Sequence, residues 1–145
     1  MPDIVYSDPI VKNGHFTWHE YALEREWNKL LVPDTPQKDR AIFLFTHVEK
    51  LIRVPLNEEI FVHSGARSKE YTRYLIKKGY KAAMNGAHIT WGAVDLGAPK
   101  TMTNRQFWNY CDKVWPGRME ILERTPTWVH LDIRNWGKRE RFIPF

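Results

Sequence analysis

Apolar positions along the chain recur at periods that change several times, and each change marks an element. FTWHEYALEREWNKLLVP opens on Thr17 with Glu20 three residues later and stops at Pro33, which predicts a capped first helix. In DTPQKDRAIFLFTHVEKLIRVP, Thr35 and Pro36 stand as N-cap and first helical residue. Ala41, Leu44, Phe45, Val48, Leu51 and Ile52 then follow the helical period, predicting a second helix. A short strand over Ile60 to His63 enters the turn SGARS, and Ser68 caps a third helix, KEYTRYLIKKG, ending at Gly79. AVDL reads as a strand, and Thr103 caps a helix from Asn104 to Val114 that Pro116 and Gly117 stop. RMEILER, TWVHLDI and ERFIP are strand-like runs, the first two joined by a turn containing Pro126. The fold class expected is α+β, a small, mostly antiparallel sheet with helices packed around one side.

Composition narrows this picture. The 145 residues carry no repeat, low-complexity tract or long linker, so a single domain over 1–145 is expected. With 43% hydrophobic and 14% aromatic residues the chain can fill a core, and its seven tryptophans suffice to line a groove as well as pack. The single cysteine, Cys111, excludes an internal disulfide and thiolate zinc sites, and reads as a buried structural thiol. MPDIVYSDPIVKNG lacks the basic start and apolar stretch of a signal peptide, and no run approaches the length of a membrane helix. The expectation is a soluble monomer made in the cytoplasm. A net charge of +5 and a pI near 9.4 suit an anionic partner, and nucleic acid, cell-wall polymer and a membrane surface all fit. The basic tail IRNWGKRERFIPF could be a nucleic-acid stripe, but a solvated strand with alternating charges accounts for it as well.

The chemistry concentrates in GAHITWGAVDLGAP, where His88 and Asp95 stand seven apart in an otherwise uncharged run. Desolvating a lone carboxylate is expensive, so Asp95 needs an arginine, a hydrogen-bond network or a metal ion. Catalytic zinc takes three ligands from histidine and carboxylate side chains and keeps a fourth position open. His130, thirty-five residues beyond Asp95 in TWVHLDI, is the candidate third ligand, in a strand that could lie beside AVDL. Zinc in such a site activates water and polarises a carbonyl, with a nearby carboxylate as general base and acid.

SGARS before a helix, then His-(six residues)-Asp with alanine at the fifth place after the histidine, then WVHLD, resembles the zinc D-alanyl-D-alanine carboxypeptidase family. Those peptidases share a fold with the hedgehog signalling domain and lysostaphin-type enzymes. HFTWHEY is similar to the entry of the branch seen in bacterial and phage proteins, and the match runs in order from His15 to about Asp132. The resemblance implies that His88, Asp95 and His130 bind zinc. Arg67 would hold a substrate carboxylate or the carbonyl that becomes the oxyanion, with Ser64 and Ser68 shaping the turn that presents it.

The implied base is a glutamate about six residues before the last histidine. Glu123 sits seven before it, Asp132 two beyond it is the rival, and Glu120 is a third candidate. Trp91 stands where the family has glycine and either stacks on substrate or fills space beside the metal. His63 ends the strand before SGARS and could help position substrate. The function implied is hydrolysis of a peptidoglycan stem-peptide amide, as a D,D-carboxypeptidase or an L-Ala–D-Glu endopeptidase, in the manner of a phage endolysin degrading cell wall. A zinc-stabilised binding or phage structural domain of the same fold is the alternative.

Overall fold

The structure is a computed structural model and describes residues 4–144. Its elements in chain order are α1 (Trp18–Ala22), β1 (Leu23–Glu24), β2 (Lys29–Leu30), α2 (Thr35–Val48), α3 (Val54–Leu56), β3 (Phe61–Ser64), α4 (Lys69–Lys77), β4 (Ala93–Gly97), α5 (Asn104–Val114), β5 (Arg118–Glu120), β6 (Val129–Asp132) and β7 (Arg141–Phe142). Five strands form a mixed sheet in the order β3-β4-β6-β5-β7, antiparallel except for the parallel β5–β7 pair. The protein is thus a small α+β protein. No helix of the described residues is long and apolar enough to cross a membrane.

Side chains alternate across a strand, and here the alternation separates core from site. Val62, Val94, Leu96, Met119, Val129 and Leu131 join one buried cluster with Phe45, Val48 and Ile52 of the second helical segment and Phe107 and Cys111 of α5. The intervening residues, Asp95, Glu120 and His130 among them, therefore share the other face. Burial pushes the Cys111 thiol well above its ordinary pKa, so it packs as an inert apolar group.

Three sequence expectations need correction. The predicted first helix is one short turn: the Thr17–Glu20 capping box forms, but the chain leaves the helix after Ala22. It then makes the β1–β2 hairpin, turning through Asn28 in the left-handed region at φ 48°. Tertiary structure overrides helical propensity here, because buried Glu24 accepts hydrogen bonds from the backbone N–H and hydroxyl of Ser68 and so ties the hairpin to the start of α4. The N-cap of α2 is Asp34, one residue before Thr35, with Gln37 completing the capping box. That helix widens into a π turn over Glu49–Arg53 before α3. Pro55 has no N–H for the Leu51 carbonyl, which instead accepts from the Tyr110 hydroxyl at 3.0 Å. Last, RMEILER stays a strand only to Glu120 and turns into a 3-10 helix over Leu122–Arg124.

The basic tail is tied down. Arg141 pairs with Asp112 at 2.6 Å and Arg139 donates to the Asp112 and Lys113 carbonyls. These contacts fasten β7 to the end of α5 rather than display a charged stripe.

Candidate metal centre

Strand register assembles the site. Ser64 faces Asp95 across β3–β4, and Asp95 faces His130 across β4–β6. The β5–β6 register, Arg118 to Asp132 and Met119 to Leu131, puts Glu120 opposite His130 one step further on. Glu120 in turn partners Phe142 of β7. One row across the open face of the sheet therefore reads Ser64, Asp95, His130, Glu120, Phe142. His88 comes from the turn before β4, whose carbonyl accepts from the Arg67 N–H at 3.2 Å.

The structure brings His88, Asp95 and His130 together as a buried triad whose ligand atoms lie within 4.8 Å of one another. Asp95 Oδ1 is 2.8 Å from His130 Nδ1 and 3.3 Å from His88 Nε2. Each imidazole has its other nitrogen fixed: His88 Nδ1 donates to the Gly65 carbonyl at 2.7 Å, and His130 Nε2 to Asp132 Oδ2 at 2.8 Å. Such outer partners set the tautomer and leave one nitrogen of each ring for a metal. Gly65 must be glycine, since a Cβ there would lie 2.2 Å from the Tyr21 carbonyl oxygen. Two imidazole nitrogens and a carboxylate oxygen, all oriented and mostly desolvated, can hold a divalent metal ion.

Electrostatics agree with the geometry. Burial alone would raise the Asp95 pKa, but His88 and His130 outweigh it and hold the carboxyl far below its ordinary range. Burial lowers the pKa of His88. Burial pulls His130 the same way, yet its hydrogen bonds to Asp132 and Asp95 push it up to about 10. An imidazole held between two carboxylates keeps both protons until a metal displaces one.

The triad opens into a cavity of about 300 Å³, whose walls include Arg67, Lys81, Arg118, Glu120, Trp128, Arg134 and Phe142. Arg67 Nη2 lies 3.9 Å from Asp95 Oδ2 and donates to Ser64 Oγ at 3.1 Å, so Arg67 and Ser64 sit beside the triad. Ser68 lies apart, as the N-cap of α4. The carboxylate the structure brings to the triad is Glu120, with Oε2 3.1 Å from His130 Nδ1, and burial raises its pKa. Glu123 is exposed on the 3-10 helix and does not line the cavity. Asp132 is fully buried behind His130 and accepts two bonds from the Arg134 guanidinium, at 2.7 and 3.1 Å. It fixes the His130 ring and lies outside the cavity lining.

His63 is also outside, stacked on Trp128 with ring centroids 5.4 Å apart. Trp91 is 2% exposed and packs edge-on against Tyr21, so it is a core residue and not a stacking surface for substrate. Its φ of 67° is left-handed, the conformation glycine takes most easily. Replacing Trp91 with alanine is expected to cost about 3–5 kcal/mol in denaturant unfolding. Trp91→Gly should cost about 1 kcal/mol less than Trp91→Ala, reversing the usual order, because glycine escapes the left-handed strain.

Glu120 was within reach of sequence reasoning. Counting back from a β6 strand that ends at Asp132 pairs Glu120 with His130, provided the preceding strand stops before the turn. Arg118, Arg134 and Phe142 carried no such signal, because their meeting depends on the parallel β5–β7 pair. Compared with family models, curated proteins and solved structures, the chain has no match.

Proposed function

We propose that the protein is a zinc-dependent peptidase of the D-alanyl-D-alanine carboxypeptidase type, with the hedgehog-like fold of that family, acting on a peptidoglycan stem-peptide amide. The observation that carries this reading is the convergence of the His88–Asp95–His130 triad, Arg67 and Glu120 on one cavity. The donor set suits zinc, with two imidazole nitrogens, one carboxylate oxygen and space beside them. When bound, zinc supplies Lewis-acid polarisation of the amide carbonyl and acidifies water.

The chain's own residues supply the rest. Arg67 presents a guanidinium beside the triad, where negative charge grows on the carbonyl oxygen. Glu120 is near enough to the triad to take a proton from the attacking water and pass it to the leaving amine. Gly65 and Asp132 hold the two imidazoles, so the ligands need no reorganisation. Trp128, on the cavity wall, offers an aromatic face to the peptide. Positive charge favours adsorption to an anionic wall, as an endolysin would need.

The test is a digest of purified peptidoglycan by the zinc-loaded protein, read by mass spectrometry. Free D-alanine identifies a carboxypeptidase, and a new D-glutamate amino terminus identifies the endopeptidase. A chelator should abolish release and added zinc restore it. Absence of any cleaved stem peptide with zinc bound would overturn the reading in favour of a zinc-stabilised binding domain.

A further inference from the structure

Four cationic side chains, Arg67, Lys81, Arg118 and Arg134, line the cavity against two anionic ones, Asp95 and Glu120. This excess is present before any metal adds its charge, so the cavity is built for an anionic ligand. Two of the arginines are already engaged. Arg134 forks onto buried Asp132, and Arg67 serves Asp95 and Ser64. Lys81 carries a flexible point charge and makes no ion pair among the described residues.

Arg118 differs from all three. It lies on β5 two residues before Glu120, on the same face of the strand and the far side of the triad from Arg67. Its guanidinium lies over the Phe142 ring at 3.8 Å and is mostly buried. Its ion-pair partner, Glu140 at 3.2 Å, is 39% exposed and also accepts a hydrogen bond from Asn135. A pair with a solvated carboxylate is weak. That pair runs through the buried Nε, which faces Glu140 Oε2 without hydrogen-bond geometry, and neither Nη donates a hydrogen bond among the described residues. A pinned guanidinium with unspent donors loses little entropy on gripping a carboxylate with two parallel bonds.

Resting on the peptidase reading, we propose that Arg118 is the anchor for a free carboxylate on the residue that follows the scissile bond. The two candidate stem-peptide bonds share this chemistry. The terminal residue of D-Ala–D-Ala carries its own α-carboxylate, and so does the γ-linked D-glutamate after L-alanine. Arg118 thus makes the site specific for a leaving residue with a free carboxylate, whichever bond is cut.

The experiment measures binding, so that it does not depend on turnover. Zinc-loaded Glu120→Gln protein is titrated calorimetrically with D-Ala–D-Ala and with L-Ala–γ-D-Glu–L-Lys, whose glutamate γ-carboxyl is in an amide bond, and with each peptide amidated at the α-carboxylate of the residue after the scissile bond. At least one free acid should bind about 10-fold or more tightly than its amide. Arg118→Gln should reduce its affinity to that of the amide and leave the amide's unchanged, whereas Arg118→Lys should retain part of the preference. Which acid responds identifies the source of the carboxylate. Equal binding of acid and amide to protein with Arg118 intact, an unchanged preference in Arg118→Gln, or no binding of either acid would overturn the assignment. The peptidase reading fails separately, if the parent chain releases no product from peptidoglycan.

Discussion

Asp95→Ala protein is expected to purify with far less than one zinc ion per chain after dialysis, against about one for the parent, by elemental analysis. The expectation follows from where the carboxylate sits. Asp95 is 5% exposed, with Oδ1 shared between His88 Nε2 and His130 Nδ1. Losing it removes a candidate ligand and, among the described residues, the only carboxylate paired with both rings. The companion variant Asp132→Asn removes an outer partner, which holds the far nitrogen of His130. Outer partners contribute about 10–100-fold in metal affinity, so Asp132→Asn should weaken zinc by that factor and Asp95→Ala by more. Asp95→Asn, nearly the same shape, separates loss of the ligand from loss of packing. A parent chain that takes up no zinc, even when zinc is supplied, would leave the triad as a polar network closed by Arg67 and Asp132.

The triad was legible in sequence because each member is local to a motif and strand alternation carries it to the sheet face. His130 and Asp95 required only that AVDL and WVHLD be adjacent strands, and the Asp95–His130 register supplies that. The helix from Asn104 to Val114 was legible for a similar reason: its capping box and its stop at Pro116 are nearest-neighbour signals. What escaped was set by distant contacts. The hairpin after Ala22 is held by Glu24 on Ser68, forty-four residues away, and nothing within EYALEREWNKLL announces it. The left-handed φ of Trp91 hides behind an indole that would ordinarily argue against it. Glu123 does not reach the triad because a strand predicted through it ends at Glu120, where the backbone is held from both sides. Trp108 Nε1 donates to the Glu120 carbonyl at 3.0 Å, and Ile121 N–H to that of Phe142 at 3.0 Å. Beyond this point the chain coils into the 3-10 turn, and Glu123 swings to solvent.

That difference of three residues gives the sharpest test of mechanism. Glu120→Gln is expected to lower kcat by about 10²–10⁴ while zinc content stays at the parental level, the range a positioned general base supplies. Glu123→Gln should stay within about 2-fold of the parent, since its side chain is exposed and off the cavity. Zinc retention is the readout that separates the two roles open to Glu120. A carboxylate 3.1 Å from His130 Nδ1 could instead serve as a ligand, and its loss would then carry the metal away with the activity. Zinc retained with turnover lost assigns Glu120 to the proton. Zinc and turnover lost together assign it to the metal and return the question of the base to the cavity wall. If the rate falls in Glu123→Gln instead, the 3-10 turn must refold over the site when substrate binds, and the strand predicted through Glu123 would describe that bound state.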